Sequence, residues 1–153
     1  MVASNIRVPV EELAQSLFDA AARFCLAAPR GRRRNGDLKE LEFLALTVLQ
    51  QRGPLIVGDI QRHLGVLPAQ MSRIIRSLEA RERPLIACRI NPYDKRKIDV
   101  ALTPAGVRAL QEYQSARVRA LTDLLGRLPD DEADQLHRLL DRVAGLLDRA
   151  PAG

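Results

Sequence analysis

The chain has 153 residues, enough for one domain with a real core, and its 46% hydrophobic content is nearly all aliphatic, with aromatics at 3%. A core of Leu, Ile, Val and Ala favours helices packed on helices, and a net charge of +5 favours a polyanionic partner. The sequence has no apolar run able to cross a bilayer, no signal-peptide pattern and only two unrelated cysteines, which excludes membrane and disulfide-framework classes and points to the cytoplasm.

In chain order, the first predicted helix runs from Val10 to Ala28. Leu13, Leu17, Phe18, Ala21, Phe24, Cys25 and Ala28 give it an apolar stripe wider than one internal contact requires. Residues 29–36, P-R-G-R-R-R-N-G, break the helix with a basic loop. Such an Arg run is either a solvated loop, the more common case, or an extra phosphate contact. Asp37, with Glu40 three residues later, forms a capping-box pattern that predicts the start of a second helix. Leu41, Leu44, Ala45, Val48 and Leu49 are its expected apolar face, and Gly53-Pro54 ends it.

Two short helices follow, at about Val57–Leu64 and Pro68–Arg81, separated by Gly65-Val66-Leu67. On the second, Met71, Ile74, Ile75 and Leu78 fall at i, i+3, i+4 and i+7, so that face is buried. Ala69, Arg73, Arg76 and Ser77 lie opposite, with Gln70 and Ser72 on the flanks. A short helix, a tight glycine turn and a second helix with an Arg-bearing outer face form a helix-turn-helix, whose second helix enters a major groove.

Strand-like Leu85–Ile90 and Ile98–Leu102 then flank Asn91-Pro92-Tyr93-Asp94-Lys95-Arg96-Lys97, giving a hairpin with a charged tip. Asp94 and Arg96 are two apart, so on an extended arm the carboxylate can hold the guanidinium outward. An Arg presented in this way suits a narrow, electronegative minor groove. Taken by itself, the spacing fits an ordinary solvated tip equally well. Thr103 caps the next helix, with Pro104 at its first position, and that helix runs to about Arg127. The last helix, Asp131 to Leu147, begins with an acidic cluster and carries Leu136, Leu139, Leu140, Val143, Leu146 and Leu147.

Nothing in the sequence supports catalysis. It has no nucleophile elbow, no Gly-rich phosphate loop and no His–carboxylate set, so no enzyme and no cofactor are expected. His63 and His137 lack companions at ligand spacing and read as surface or boundary residues, with no metal site. Cys25 and Cys88 read by default as buried structural thiols, with an oxidant-sensing role as the alternative. The terminal helices carry more apolar surface than a small winged domain absorbs. They pack on one another within a chain or, the favoured reading, intertwine in a homodimer that spaces two half-sites about 10 bp apart or a multiple of that.

The order of helices, together with V-G-D-I-Q-R-H-L-G-V, M-S-R-I-I-R-S-L-E and N-P-Y-D-K-R-K followed by L-T-P-A-G, resembles the MarR family of winged helix-turn-helix transcriptional regulators across residues 10–149. The resemblance implies a dimeric regulator on a pseudo-palindromic operator, often released by a small molecule or by oxidation. By position it makes Arg96 the minor-groove residue at the wing tip, Asp94 its orienting partner, and Gln70, Ser72, Arg73 and Arg76 the recognition face. Three features depart from the family pattern. Ile56 and Leu67 stand where Ser or Thr is usual before each short helix, and L-E-A-R-E-R-P-L-I is a longer junction that lacks the usual Gly.

The expectation is therefore a mainly α chain with a small β-hairpin wing. A winged helix-turn-helix over residues 37–103 is flanked by dimerisation helices over 10–28 and 104–149, in one compact domain. The expected partners are double-stranded DNA, a second copy of the chain and a small-molecule effector, with no membrane. The expected function is a sequence-specific regulator, a repressor, with Gln70, Ser72, Arg73, Arg76, Asp94, Lys95, Arg96 and Lys97 on the DNA. The alternatives are a related dimer with a ligand- or protein-binding role and an architectural, non-specific DNA binder.

Overall fold

The structure is a computed structural model that describes residues 7–27 and 37–150. They fall into two compact units, one holding helix α1 (Val10–Ala27) and the other everything from residue 37 onward. No described side chain of α1 is buried. The expected apolar stripe is present, but it is open. The Arg run at 30–34 lies outside the described residues.

In the second unit the order is α2 (Glu40–Arg52), β1 (Leu55–Ile56), α3 (Val57–Leu64), α4 (Pro68–Glu79), β2 (Ile86–Ile90), β3 (Ile98–Leu102), α5 (Pro104–Leu125) and α6 (Asp130–Arg149). The mainly helical architecture with a small antiparallel wing is as the sequence predicts. One strand was not foreseen. Leu55–Ile56 pairs with β3, Leu55 opposite Val100, to make a three-stranded sheet of order β1-β3-β2. The hairpin itself runs in register from Ile86 opposite Leu102 to Ile90 opposite Ile98.

The core gathers Leu46, Leu49, Ile60, Met71, Leu78, Ile86, Val100 and Leu110 around these elements. Helix α2 buries Glu42, Ala45, Leu46 and Leu49, a face rotated from the expected stripe, and Leu44 is exposed. The helix is apolar nearly all round, so hydrophobicity alone could not select its inner side. Its start also differs from the expected Asp37 cap. Leu38 is drawn into the core, and the helix begins at Glu40 with Lys39 as N-cap and no side-chain cap bond.

The junction between wing and α5 shows why L-T-P-A-G has its form. The Thr103 hydroxyl accepts from the Gly106 N–H at 3.1 Å and donates to the Pro84 carbonyl at 2.6 Å. The Thr103 N–H donates to the Leu85 carbonyl at 3.2 Å. A Cβ on Gly106 would lie 2.1 Å from that same carbonyl oxygen, so only glycine allows the approach. The upstream junction needs no glycine. Helix α4 ends at Ala80 in ordinary right-handed geometry, and the Leu85 N–H returns to the Leu78 carbonyl at 3.0 Å.

Candidate nucleic-acid interface

Helices α3 and α4 meet through Gly65, whose φ of 64° lets its N–H close on the Gln61 and Arg62 carbonyls. This turn sets α4 with Met71, Ile74 and Leu78 inward. Ala69, Gln70, Ser72, Arg73 and Arg76 are all exposed, and among the described residues no side-chain hydrogen bond or ion pair engages the guanidinium of Arg73 or Arg76. Ser77 departs from the expected outer face: it is half-buried, and its hydroxyl donates to Glu42 at 3.1 Å.

That contact belongs to an arrangement the sequence did not announce. Glu42, 3% exposed, accepts from Ser77 on Oε1 and from the Arg81 guanidinium on Oε2 at 2.7 Å. Arg81 also reaches the Asp37 carbonyl at 3.5 Å. A carboxylate buried on α2 thus takes one bond from the last turn of α4 and one from just beyond it, fixing the angle at which α4 leaves the core. The sequence signal was present but faint: a lone Glu on a helix otherwise apolar on that side, with an Arg beyond the following helices.

At the hairpin tip the Asn91 side chain builds the turn. Its Oδ1 accepts from the N–H groups of Tyr93 and Asp94, both at 2.9 Å, and its amide donates to Asp99 at 3.0 Å. Asp94 accepts from the Arg96 N–H at 3.1 Å and from its Nε at 3.2 Å. The expected pairing of Asp94 with Arg96 is present, but within a tight turn closed by Lys97 N–H to Asp94 O, not along an extended arm. The backbone N–H of Arg96, then its side chain, holds the Asp94 carboxyl below its usual value. Arg96 remains 92% exposed, Tyr93 97%, and Lys95 and Lys97 are also exposed.

The cysteines differ from each other. Cys25 is exposed, against the default expectation of burial, because the whole α1 stripe is open. Cys88 is half-buried, and burial together with the Glu79 carboxylate pushes its thiol up to about 12. His63 and His137 are exposed, as the sequence suggests.

On α5, Tyr113 stacks on Phe43 with centroids 4.2 Å apart, and Arg117 sits 3.5 Å over the same ring. This sandwich joins the long helix to the core of the winged region. Among the described residues, no helix is long and apolar enough to cross a membrane.

Comparison with known proteins agrees with this geometry. The family profile described as the MarR family matches residues 38–98. An uncharacterised HTH-type transcriptional regulator of Mycobacterium leprae is 28% identical over 107 residues, covering 70% of this chain and 73% of that protein. Apo MarR of E. coli has a TM-score of 0.68 at 20% identity, covering 91% of this chain and 98% of that one. Bordetella bronchiseptica BpsR, described with regulation of its DNA binding by 6-hydroxynicotinic acid, has a TM-score of 0.60 at 23% identity, covering 87% of this chain and 98% of that one.

Proposed function

Because the chain belongs to the MarR family of winged helix-turn-helix transcriptional regulators, which bind DNA and are not enzymes, we propose that it is a homodimeric repressor acting on a pseudo-palindromic operator. The observation that carries this reading is the wing tip. Asp94 grips the backbone and Nε of Arg96, and the guanidinium is left almost wholly in solvent. A cation fixed at its base and free at its end is suited to a narrow minor groove, where it loses little entropy on insertion.

In this reading Arg73 and Arg76, with Gln70 and Ser72, face the major groove, and Lys95 and Lys97 meet phosphates beside the Arg96 site. Residues 37–103 form the DNA-binding region, and residues 10–28 with 104–149 the dimerisation region. The apolar side chains that α1 and α6 leave exposed support that pairing. A dimer places two recognition helices about one helical turn of DNA apart. A small molecule regulating DNA binding, as described for BpsR, and action in the cytoplasm complete the proposal.

The test is to select bound fragments from the native genome and measure the variants on the resulting operator. Arg96→Ala and Arg73→Ala should each weaken binding by about 1–3 kcal/mol, Arg96→Ala with loss of preference for AT-rich flanks. Binding that survives both changes overturns the assignment. Affinity nearly equal for selected and random duplexes, with a steep salt dependence, would instead identify a non-specific binder.

A further inference from the structure

The start of α4 is unusual for a helix that enters DNA. Leu67 is its N-cap, with extended backbone at φ −74° and ψ 154° and no side-chain cap bond. It is 74% exposed, and Pro68 and Ala69 after it are exposed as well. Val66, just before, is half-buried and packs on the core, so the apolar character at 67–69 is not needed to anchor the turn. A single exposed Leu is ordinary. Three consecutive side chains with no hydrogen-bonding group, at the end of the helix that leads into the groove, are not. They are continuous with an outer face of Gln70, Ser72, Arg73 and Arg76.

The N-terminal residues of a recognition helix contact base edges. A side chain there without donors or acceptors cannot read the hydrogen-bonding pattern of the major groove. The one apolar group that an unmodified base pair presents there is the C5-methyl of thymine. The helix also lacks acidic residues in its first turn, so nothing there repels the phosphates on either side of such a contact.

We infer that Leu67, assisted by Ala69, is a specificity determinant that reads thymine C5-methyl groups in each half-site. This rests on the regulator reading above. It converts the loss of a polar cap at residue 67 into a selective apolar contact. The same apolar contact would accept 5-methylcytosine, which carries its methyl at the equivalent position in the groove.

The experiment uses the full-length protein and a duplex selected by it from genomic DNA. Each thymine is replaced in turn by deoxyuridine, which keeps pairing and removes only the methyl. At one or more positions per half-site binding should weaken about fourfold at constant salt, corresponding to the ~0.8 kcal/mol of one buried carbon group. With Leu67→Ser the thymine and uracil duplexes should bind equally, and the salt slope should be unchanged, because no phosphate contact is lost. Serine is a good N-cap, so the variant is expected to fold.

If no uracil position weakens wild-type binding more than twofold, or if the difference persists in Leu67→Ser, the inference is overturned while the regulator reading stands. If the wild-type protein retains no sequence over random DNA, the regulator reading fails and this inference falls with it.

Discussion

Residues 38–110 and residues 114–150 are built from similar aliphatic side chains, yet they close in opposite ways. Every described buried residue lies in the first stretch, from Leu38 to Leu110. In the second, Val118, Leu124, Leu139, Leu140, Leu146 and Leu147 are exposed. The winged region thus completes its core within one chain, with three short strands, a glycine-tight junction and one buried ion pair. The distal part of α5 and all of α6 have the amphipathic pattern of core helices without a core around them. Composition therefore says which side chains seek burial, and topology says whether the same chain supplies the cover.

The largest expected effect contrasts leucines of the two regions. Leu46 is fully buried, so Leu46→Ala should lower the unfolding free energy in urea by about 2–5 kcal/mol. The double change Leu139→Ala/Leu146→Ala should leave the far-ultraviolet helical signal of the winged region intact and instead shift sedimentation from dimer toward monomer. A wild-type monomer at micromolar concentration, or a double variant still fully dimeric, would break the comparison.

Next in size is the buried pair. Arg81→Ala leaves the Glu42 carboxylate in the core with Ser77 as its remaining hydrogen-bond donor among the contacts above, and should destabilise the fold by about 3 kcal/mol. Because Glu42 links α2 to α4 and the residue just past it, operator affinity should fall further than random-duplex affinity. Equal losses on both would show that the pair stabilises the fold without aiming the helix. Gly106→Ala should act on a similar scale by a different cause, about 1–3 kcal/mol from forcing a Cβ onto the Leu85 carbonyl, read as a lowered melting temperature with unchanged ion pairing.

These residues also mark what the sequence made legible. The inner face of α4, the Thr103 cap and the Asp94–Arg96 pair were all readable, because local periodicity, capping chemistry and two-residue spacing decide them. The buried side of α2 was not. Its partner for Glu42 lies 39 residues away, and no local pattern reveals a contact at that range. Strand β1 escaped for the same reason: two residues carry no alternation, and only pairing with β3 makes them a strand. The missing caps at Ile56 and Leu67 were visible in the sequence, but the exposure of Leu67 required the structure.

The smallest effect separates the two thiols. Cys25 is exposed on α1, whereas Cys88 sits half-buried in β2 with its thiol raised from 9.0 to about 12. Alkylation requires the thiolate, so the half-buried Cys88, with its thiol pushed up, should react more slowly than the exposed Cys25, and mass spectrometry should find Cys25 modified first. The same shift sets a pH dependence. Below about 9 the thiol is protonated both folded and unfolded, so its contribution to stability is fully present there. As the pH rises from about 9 toward 12, the unfolded chain releases the proton first and stability falls. Cys88→Ala should remove that share of the alkaline loss, measured as the difference between the two urea midpoints across the window. A Cys88 labelled as fast as Cys25 at neutral pH would mean that β2 opens readily, and the closed half of the molecule would then be far less closed than its core suggests.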